Sequence, residues 1–136
     1  MRLFDATLST LERSLDVRLA RQAVLSSDVA NADTPGYLPR DLDFEAAMSA
    51  ASPAVPEPAA TRPGDLPLGA ATASAAAPER FVGEVPGQAP GLDGNAVDLD
   101  RTAAAIAENS IQYGAAAKAA AKKLAILRYV ASDGAA

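Results

Sequence analysis

Asn31-Ala32-Asp33-Thr34-Pro35-Gly36-Tyr37 separates a long helical pattern from a following sequence of different character. Pro35 has a fixed φ and no N–H, and it moves the preceding residue out of the α region. A helix arriving from the N-terminal side must therefore end at or before Thr34, and Asn31 can help to close it. Pro and Gly at the central positions favour a type II turn over Thr34–Tyr37, with a positive φ at Gly36. We call Asn31, Thr34, Pro35, Gly36 and Tyr37 the turn motif; taken alone, such a motif is only a helix stop.

The composition favours a structural role over a catalytic one. The chain has 136 residues, enough for one domain, and its 49% hydrophobic content includes few aromatic side chains, at 4%. It has no cysteine and no histidine, which removes the commonest zinc ligands and the commonest general base at neutral pH. A net charge of −5 with scattered basic residues does not predict a nucleic-acid surface. We therefore expect no enzyme activity, cofactor, metal, nucleic acid or small-molecule substrate.

The N-terminus does not predict a cleaved secretory signal. Asp5, Glu12, Arg13 and Asp16 interrupt any apolar core of such a signal. No run approaches the roughly 18 consecutive apolar residues of a membrane span. We expect a chain that stays in the cytosol or leaves the cell by a route without a cleaved signal.

The first helix is predicted from Leu3 to about Asp33. Its apolar residues step by four and three as in a coiled coil, and the stripe slips by one residue after Arg18. The first stripe comprises Phe4, Leu8, Leu11 and Leu15, and the second comprises Leu19, Ala23 and Ala30. The sequence thus predicts one helix whose contact face changes along its length.

The segment after the turn should be extended and then form a short helix. Asp43 is placed to cap a helix from Phe44 to about Ala50 that presents Phe44, Ala47 and Met48. We interpret Asp41 and Asp43 as capping and solubilising residues rather than metal ligands, because no third ligand is near them. These elements complete the predicted N-terminal segment, residues 1–50.

Residues 51–95 are predicted to be a flexible, extended linker. Pro, Ala and Gly fill 25 of its 45 positions, and its few large apolar residues cannot offset the entropy of ordering it. At most we expect a short strand near Phe81-Val82.

The C-terminal segment, residues 96–136, is predicted to be one long heptad helix. Asn95 or Asp98 is its expected N-cap, where negative charge also suits the helix dipole. An a/d seam runs through almost five heptads, and only Ser110 interrupts it with a small polar side chain. The seam consists of Leu99, Ala103, Ile106, Ser110, Tyr113, Ala117, Ala120, Leu124, Leu127 and Ala131.

These patterns predict a mostly α fold. The two long terminal helices should pair as an antiparallel coiled-coil hairpin and form one helical domain, joined by the Pro/Ala/Gly-rich middle. Val24, Leu25, Ile126, Tyr129 and Val130 lie off the seams. Each helix therefore has apolar surface that its partner cannot cover, which favours assembly with further chains.

Two stretches resemble a known family. The residues Ser26–Tyr37, ending in the Thr-Pro-Gly-Tyr turn, resemble the N-terminal signature of bacterial flagellar axial proteins, the rod, hook and hook-associated subunits. Asn95–Asp100, Ala107–Tyr113 and Arg40–Phe44 are similar to the proximal rod proteins within that family. The resemblance covers roughly residues 1–50 and 95–131.

The resemblance implies a structural subunit of the basal-body rod. Such a subunit would pass unfolded through the flagellar type III export apparatus and assemble in the periplasm with copies of itself and with other rod and basal-body subunits. Three alternatives stay open: another rod or hook subunit, a soluble coiled-coil partner of a type III secretion system and, least favoured, an enzyme. The helices alone fit a coiled-coil partner equally well, whereas the turn motif and the Asn95–Tyr113 stretch argue for the rod.

Overall fold

The computed structural model describes residues 6–50, 77–86 and 89–132. Two long helices dominate: α1 at Ala6–Ala30 and α3 at Leu99–Ala131, with the short helix α2 at Phe44–Ser49 between them. A 3-10 helix at Pro78–Phe81 leads into the strand β2 at Val82–Glu84, which pairs antiparallel with β1 at Arg40–Leu42. The fold is mostly helical, as the sequence predicts.

The helix boundaries follow local chemistry. α1 ends at Ala30, before Thr34, as the proline requires. Asp43 caps α2, its side chain accepting a hydrogen bond from Ala46 N, which confirms that prediction. Of the two candidate caps for α3, Asp98 is the one used: its Oδ1 accepts from Arg101 N at 3.0 Å. No helix in the described parts of the chain has both the length and the apolar character that crossing a membrane requires.

A small apolar core lies beside the first half of α1. Val17, Leu42 and Ala47 are buried, and they hold together α1, β1 and α2. Partly buried neighbours complete this core: Ala20, Phe44, Met48, Phe81 and Val82. The predicted contacts of α2 through Phe44, Ala47 and Met48 are therefore confirmed.

Part of the segment predicted to be a linker, residues 51–95, is folded. The anticipated strand is present, and its Val82 is the register partner of the core residue Leu42. The loop at 89–95 is also part of the folded unit, through the hydrogen bond from Gly36 N to Asp93 O and those of the Asn95 side chain. Composition missed this because a few well-placed contacts outweigh a generally poor core-forming segment. Residues 51–76 lie outside the described residues, as do Leu3 and Phe4 at the predicted start of the first helix.

The faces of α1 and α3 that meet carry polar residues. The buried residues of α3 are Thr102 and Asn109, and both are polar. Asn109 Nδ2 donates to Arg18 O and to Gln22 Oε1, both at 3.0 Å. The contact between the helices is thus built around hydrogen bonds as well as apolar packing.

This arrangement corrects the contact face predicted for the second half of α1. Leu19, Ala23 and Ala30 are exposed, and Leu25 and Asp28 are buried instead. Apolar periodicity missed this face because Asp28 looks like a surface residue until its hydrogen-bond partners are known.

Candidate functional site

The turn motif has the predicted geometry. Gly36 has φ +72°, and Tyr37 N donates to Thr34 O at 3.2 Å, closing the expected turn. The side chain of Asn31 donates from Nδ2 to Ser27 O at 2.8 Å and so closes the end of α1. Thr34 Oγ1 in turn donates to Asn31 Oδ1 at 3.3 Å. Pro35 and Gly36 are exposed, so the motif presents its tip outward.

Asn95 joins this motif to the start of the C-terminal segment. Its buried amide nitrogen lies 3.0 Å from Asn31 O and 2.8 Å from both Ala32 O and Thr34 O. Its Oδ1 accepts from Val97 N at 2.7 Å. We call this set of contacts the Asn95 anchor. It joins the start of the C-terminal segment to three carbonyl groups of the turn that follows α1.

Backbone hydrogen bonds reinforce the Asn95 anchor on both sides. Gly36 N donates to Asp93 O at 3.1 Å, and Ala96 N donates to Tyr37 O at 3.0 Å. Gly94 has φ +78°, and a Cβ there would lie 3.4 Å from Gly36 Cα. The chain before α3 therefore lies directly against the turn, with glycines where the two backbones approach.

Asp28 links the same turn to β1. The side chain is 2% exposed and accepts from Tyr37 Oη at 2.9 Å and from Arg40 N at 3.1 Å. The sequence placed Asp28 in the signature stretch without assigning it a role. Tyr37, in contrast, belongs to the predicted motif, and its hydroxyl ties the turn to α1 through Asp28.

Arg21 and Asp41 form an ion pair next to this site. Arg21 Nε and Nη2 donate to the two carboxylate oxygens of Asp41 at 2.8 and 2.7 Å, and Leu42 N donates to Oδ1 at 2.7 Å. Burial opposes the charged form of Asp41, but these hydrogen bonds and the Arg21 charge outweigh it and hold its pKa below the usual value. The hydrogen bond to Asp41 likewise raises the pKa of Arg21. Asp41 thus ties β1 to α1.

The predicted seam residues occupy different environments. Leu8, Leu11 and Leu15 are half-buried on α1. On α3, Ile106, Ala117, Ala120 and Leu127 are half-buried, whereas Leu99, Tyr113 and Leu124 are exposed. The face of α3 against α1 is centred on Thr102 and Asn109, each one residue before a predicted seam position. A role for the seam in assembly stays a prediction.

The site is a structural junction. Its polar groups hold one another, and two distant parts of the chain meet in it. The two stretches that meet are those quoted above for their resemblance to flagellar axial proteins, Ser26–Tyr37 and the segment beginning at Asn95.

Known proteins match this chain over most of its length. The flagellar basal body rod protein FlgB of Escherichia coli strain K12 is 37% identical over 115 residues, which covers 80% of each chain. FlgB of Salmonella typhimurium is 37% identical over 113 residues, again 80% of each. The chain belongs to the FlgB family of flagellar basal body rod proteins. FlgB of Yersinia enterocolitica adds a match of 37% identity over 125 residues, 80% of this chain and 81% of that protein. No family model matches the chain.

Membership of the FlgB family shows in which kind of protein this junction occurs. Because the relatives match about four fifths of the chain, the shared sequence extends well beyond any single motif. The resemblance to flagellar axial proteins deduced from the turn motif and the Asn95–Tyr113 stretch is confirmed.

Proposed function

We propose that this FlgB-family chain is a structural subunit of the flagellar basal-body rod and assembles through its terminal helices. The main support for this proposal is the 37% identity to a named rod protein over 80% of each chain. The relatives share one name, which favours neither another rod or hook subunit nor a soluble partner of a type III secretion system. A structural role also agrees with a site made of mutually satisfied polar groups rather than of groups held ready for a substrate.

The terminal helices pair, in this proposal, as an antiparallel coiled-coil hairpin within one helical domain. The hydrogen bonds support this direction. Asn95, just before α3, reaches the C-terminal end of α1, whereas Asn109 reaches Arg18 and Gln22. Gln112, one turn further along α3, accepts from Arg18 Nη1. A step toward the C-terminus of α3 therefore corresponds to a step toward the N-terminus of α1, which supports an antiparallel pair.

The turn motif has the function of fixing the direction in which the chain leaves α1. The Asn95 anchor holds the turn from one side, and Asp28 holds Tyr37 and Arg40 from the other. Because a type II turn with Gly at positive φ has one geometry, the exposed tip at Pro35-Gly36 is presented in a fixed orientation. We infer that this orientation sets contacts with neighbouring subunits.

The subunit's partners are then other rod and basal-body proteins, copies of itself and the flagellar type III export apparatus. Its location is the periplasmic rod of the basal body, reached by export without a cleaved signal. The names of the relatives support the basal body as the location.

Deletion and complementation in the host test this proposal. We expect a strain without the chain to lack motility, wild-type protein to restore it, and purified basal bodies to contain the chain. Asn95→Ala should lower both motility and incorporation, whereas Leu92→Ala, in the same loop but fully exposed, should leave them unchanged. A chain that restores motility from the cytoplasm and is absent from basal bodies would instead indicate an export partner.

A further inference from the structure

A groove runs between α1 and α3 on one side of the helix pair. Its volume is about 310 Å³. Leu19 forms one wall and is 61% exposed, and Ile106 and Tyr113 form the other. The complete lining is Arg18, Leu19, Gln22, Ile106, Asn109, Ser110 and Tyr113. The groove is thus an open apolar channel with polar groups along it.

Two buried polar atoms in this lining have no hydrogen-bond partner among the described residues. Asn109 is 1% exposed; its Nδ2 donates to α1, but its Oδ1 accepts no hydrogen bond. Arg18 Nε is also buried and unpaired. Buried polar atoms are nearly always paired, so Asn109 Oδ1 is available to accept, and Arg18 Nε to donate, a hydrogen bond to a group that enters the groove.

The groove also contains the best apolar pattern of α3. The predicted seam positions Ile106, Ser110 and Tyr113 line it, whereas the contact with α1 uses the adjacent face at Thr102 and Asn109. A heptad stripe is the surface that a helix presents to another helix. Here a large part of that stripe is left open to a third helix.

Acidic residues flank the groove on α1. Glu12 and Asp16 are exposed, and they precede Leu19 by seven and three residues. Residues at these spacings lie on one side of a helix, so the two carboxylates continue the line of the groove wall. A partner helix that runs parallel to α1 should therefore carry an apolar residue preceded by basic ones.

The C-terminal half of α3 has this pattern. Ile126 and Val130 are 64% and 61% exposed, and Tyr129 beside them is also exposed. Lys118 and Lys122 are exposed as well, and they precede Ile126 by eight and four residues. We call Lys118, Lys122, Ile126, Tyr129 and Val130 the C-terminal patch.

We propose that the groove binds the C-terminal patch of a second copy of this chain. In this register Ile126 lies beside Leu19, Lys122 beside Asp16 and Lys118 beside Glu12. At 1.5 Å per residue the outer lysine lies about 12 Å from Ile126 and the outer acid about 10 Å from Leu19. The bound α3 therefore runs in the same direction as α1. The inference rests on the proposed function in taking another subunit of the same kind as partner.

A contact of this type joins two different surfaces of one chain. A copy whose groove is filled by a neighbour still has its own C-terminal patch free for the groove of another copy. Copies can therefore be added one after another. Such heterologous contacts form rings or open helical assemblies, which suits a rod.

Engineered cysteines test this contact, because the chain has none of its own. Ser110 lines the groove, and Ile126 lies in the C-terminal patch. Within one copy they are 16 positions apart on one helix, about 24 Å, which exceeds the roughly 7 Å that a disulfide can span. In basal bodies that contain the Ser110→Cys, Ile126→Cys double variant, mild oxidation should give covalent multimers of the chain.

The matched control moves the second cysteine to the other side of α3. Leu124 is exposed to a similar degree and lies two residues, about 200° around the helix, from Ile126. The Ser110→Cys, Leu124→Cys variant and each single variant should give at least fivefold less of the multimers. Equal yields with Leu124→Cys, or no multimers from rods that contain the first variant, would overturn the proposed contact.

A photoreactive maleimide attached to the single thiol of the Ser110→Cys variant identifies the occupant directly. We expect its cross-linked peptide to come from residues 118–130 of another copy. A peptide from residues 51–76 of the chain, or from another rod protein, would replace the second copy as occupant. In either case incorporation into the rod would still support the proposed function, whereas loss of every variant and of the wild type from basal bodies would contradict that function itself.

Charge reversal supplies an independent readout. Asp16→Lys or Lys122→Asp alone should lower the disulfide yield severalfold, and the two changes together in every copy should restore it. Failure of the combined variant to restore the yield would show that these residues are not opposed in the assembly.

Discussion

Replacing Asn95 by Ala should destabilise the chain more than any other single change at the junction. The side chain's two N–H hydrogens are shared among three carbonyl oxygens at 2.8–3.0 Å, and its Oδ1 accepts a fourth contact from Val97 N at 2.7 Å. All of these contacts vanish in Asn95→Ala. Ala32 O then loses this donor, whereas Asn31 O and Thr34 O keep the hydrogen bonds from Thr34 N and Tyr37 N.

The expected loss follows from the number of hydrogen bonds. Each contributes about 0.5–1.5 kcal/mol net, and three bonds are lost in effect, so the free energy of unfolding should fall by about 2–4 kcal/mol. Small domains have about 5–15 kcal/mol in all. Because the buried apolar core within the described parts of the chain contains only a few residues, we expect this variant to lie near the limit of folding.

Urea unfolding followed by circular dichroism at 222 nm measures the effect. Leu92→Ala is the control in the same loop, where an exposed side chain should change stability by less than about 0.5 kcal/mol. Asn95→Asp tests the donors specifically, because it keeps the shape and the acceptor for Val97 but places a carboxylate against three carbonyl oxygens. It should be at least as unstable as Asn95→Ala. Near-wild-type stability of Asn95→Asp would refute the reasoning.

Three further predictions concern the turn, the ion pair and the seam. Because Gly36 has a positive φ, Gly36→Val should lower the free energy of unfolding in urea by about 1–2 kcal/mol and reduce motility, whereas Gly36→Asn should lower it less. Equal motility of Gly36→Val and wild type would show that the turn only ends the helix. Because folding lowers the pKa of Asp41, the stability from its pair with Arg21 should be present above about pH 4 and be lost as the pH falls further. Asp41→Asn should remove that part of the pH dependence of the free energy of unfolding in urea titrations. An unchanged pH profile in this variant would contradict the prediction. Ala120→Asp should abolish incorporation into basal bodies with export unchanged, because it places a carboxylate in the predicted seam. Ala121→Asp, at an exposed position, should incorporate normally. Equal incorporation of the two variants would show that the seam is not the packed face of α3.

The local features of this fold could be predicted because their causes are local. Pro35 ends the first helix and Gly36 supplies the positive φ, whatever the rest of the chain does. Asp43 caps its helix through a residue three positions away. Such effects act within one or two turns of backbone, so the sequence contains everything needed to foresee them.

The junction itself could not be foreseen, because its partners are distant in sequence. Asn95 was expected as a helix cap, but it binds carbonyl groups more than sixty residues earlier. Asp28 and Asn109 looked like surface residues, since apolar periodicity counts every polar side chain as exposed. Only the folded chain shows which polar residues have partners and are therefore buried.

Electron cryomicroscopy of purified basal bodies tests the central claim most directly. A structural rod subunit that assembles through its terminal helices predicts density for α1 and α3 inside the rod, with the two helices running in opposite directions and packed against those of neighbouring subunits. The turn motif should lie at a subunit contact. A rod without density for this chain, or a chain in the rod whose terminal helices do not touch its neighbours, would contradict the account.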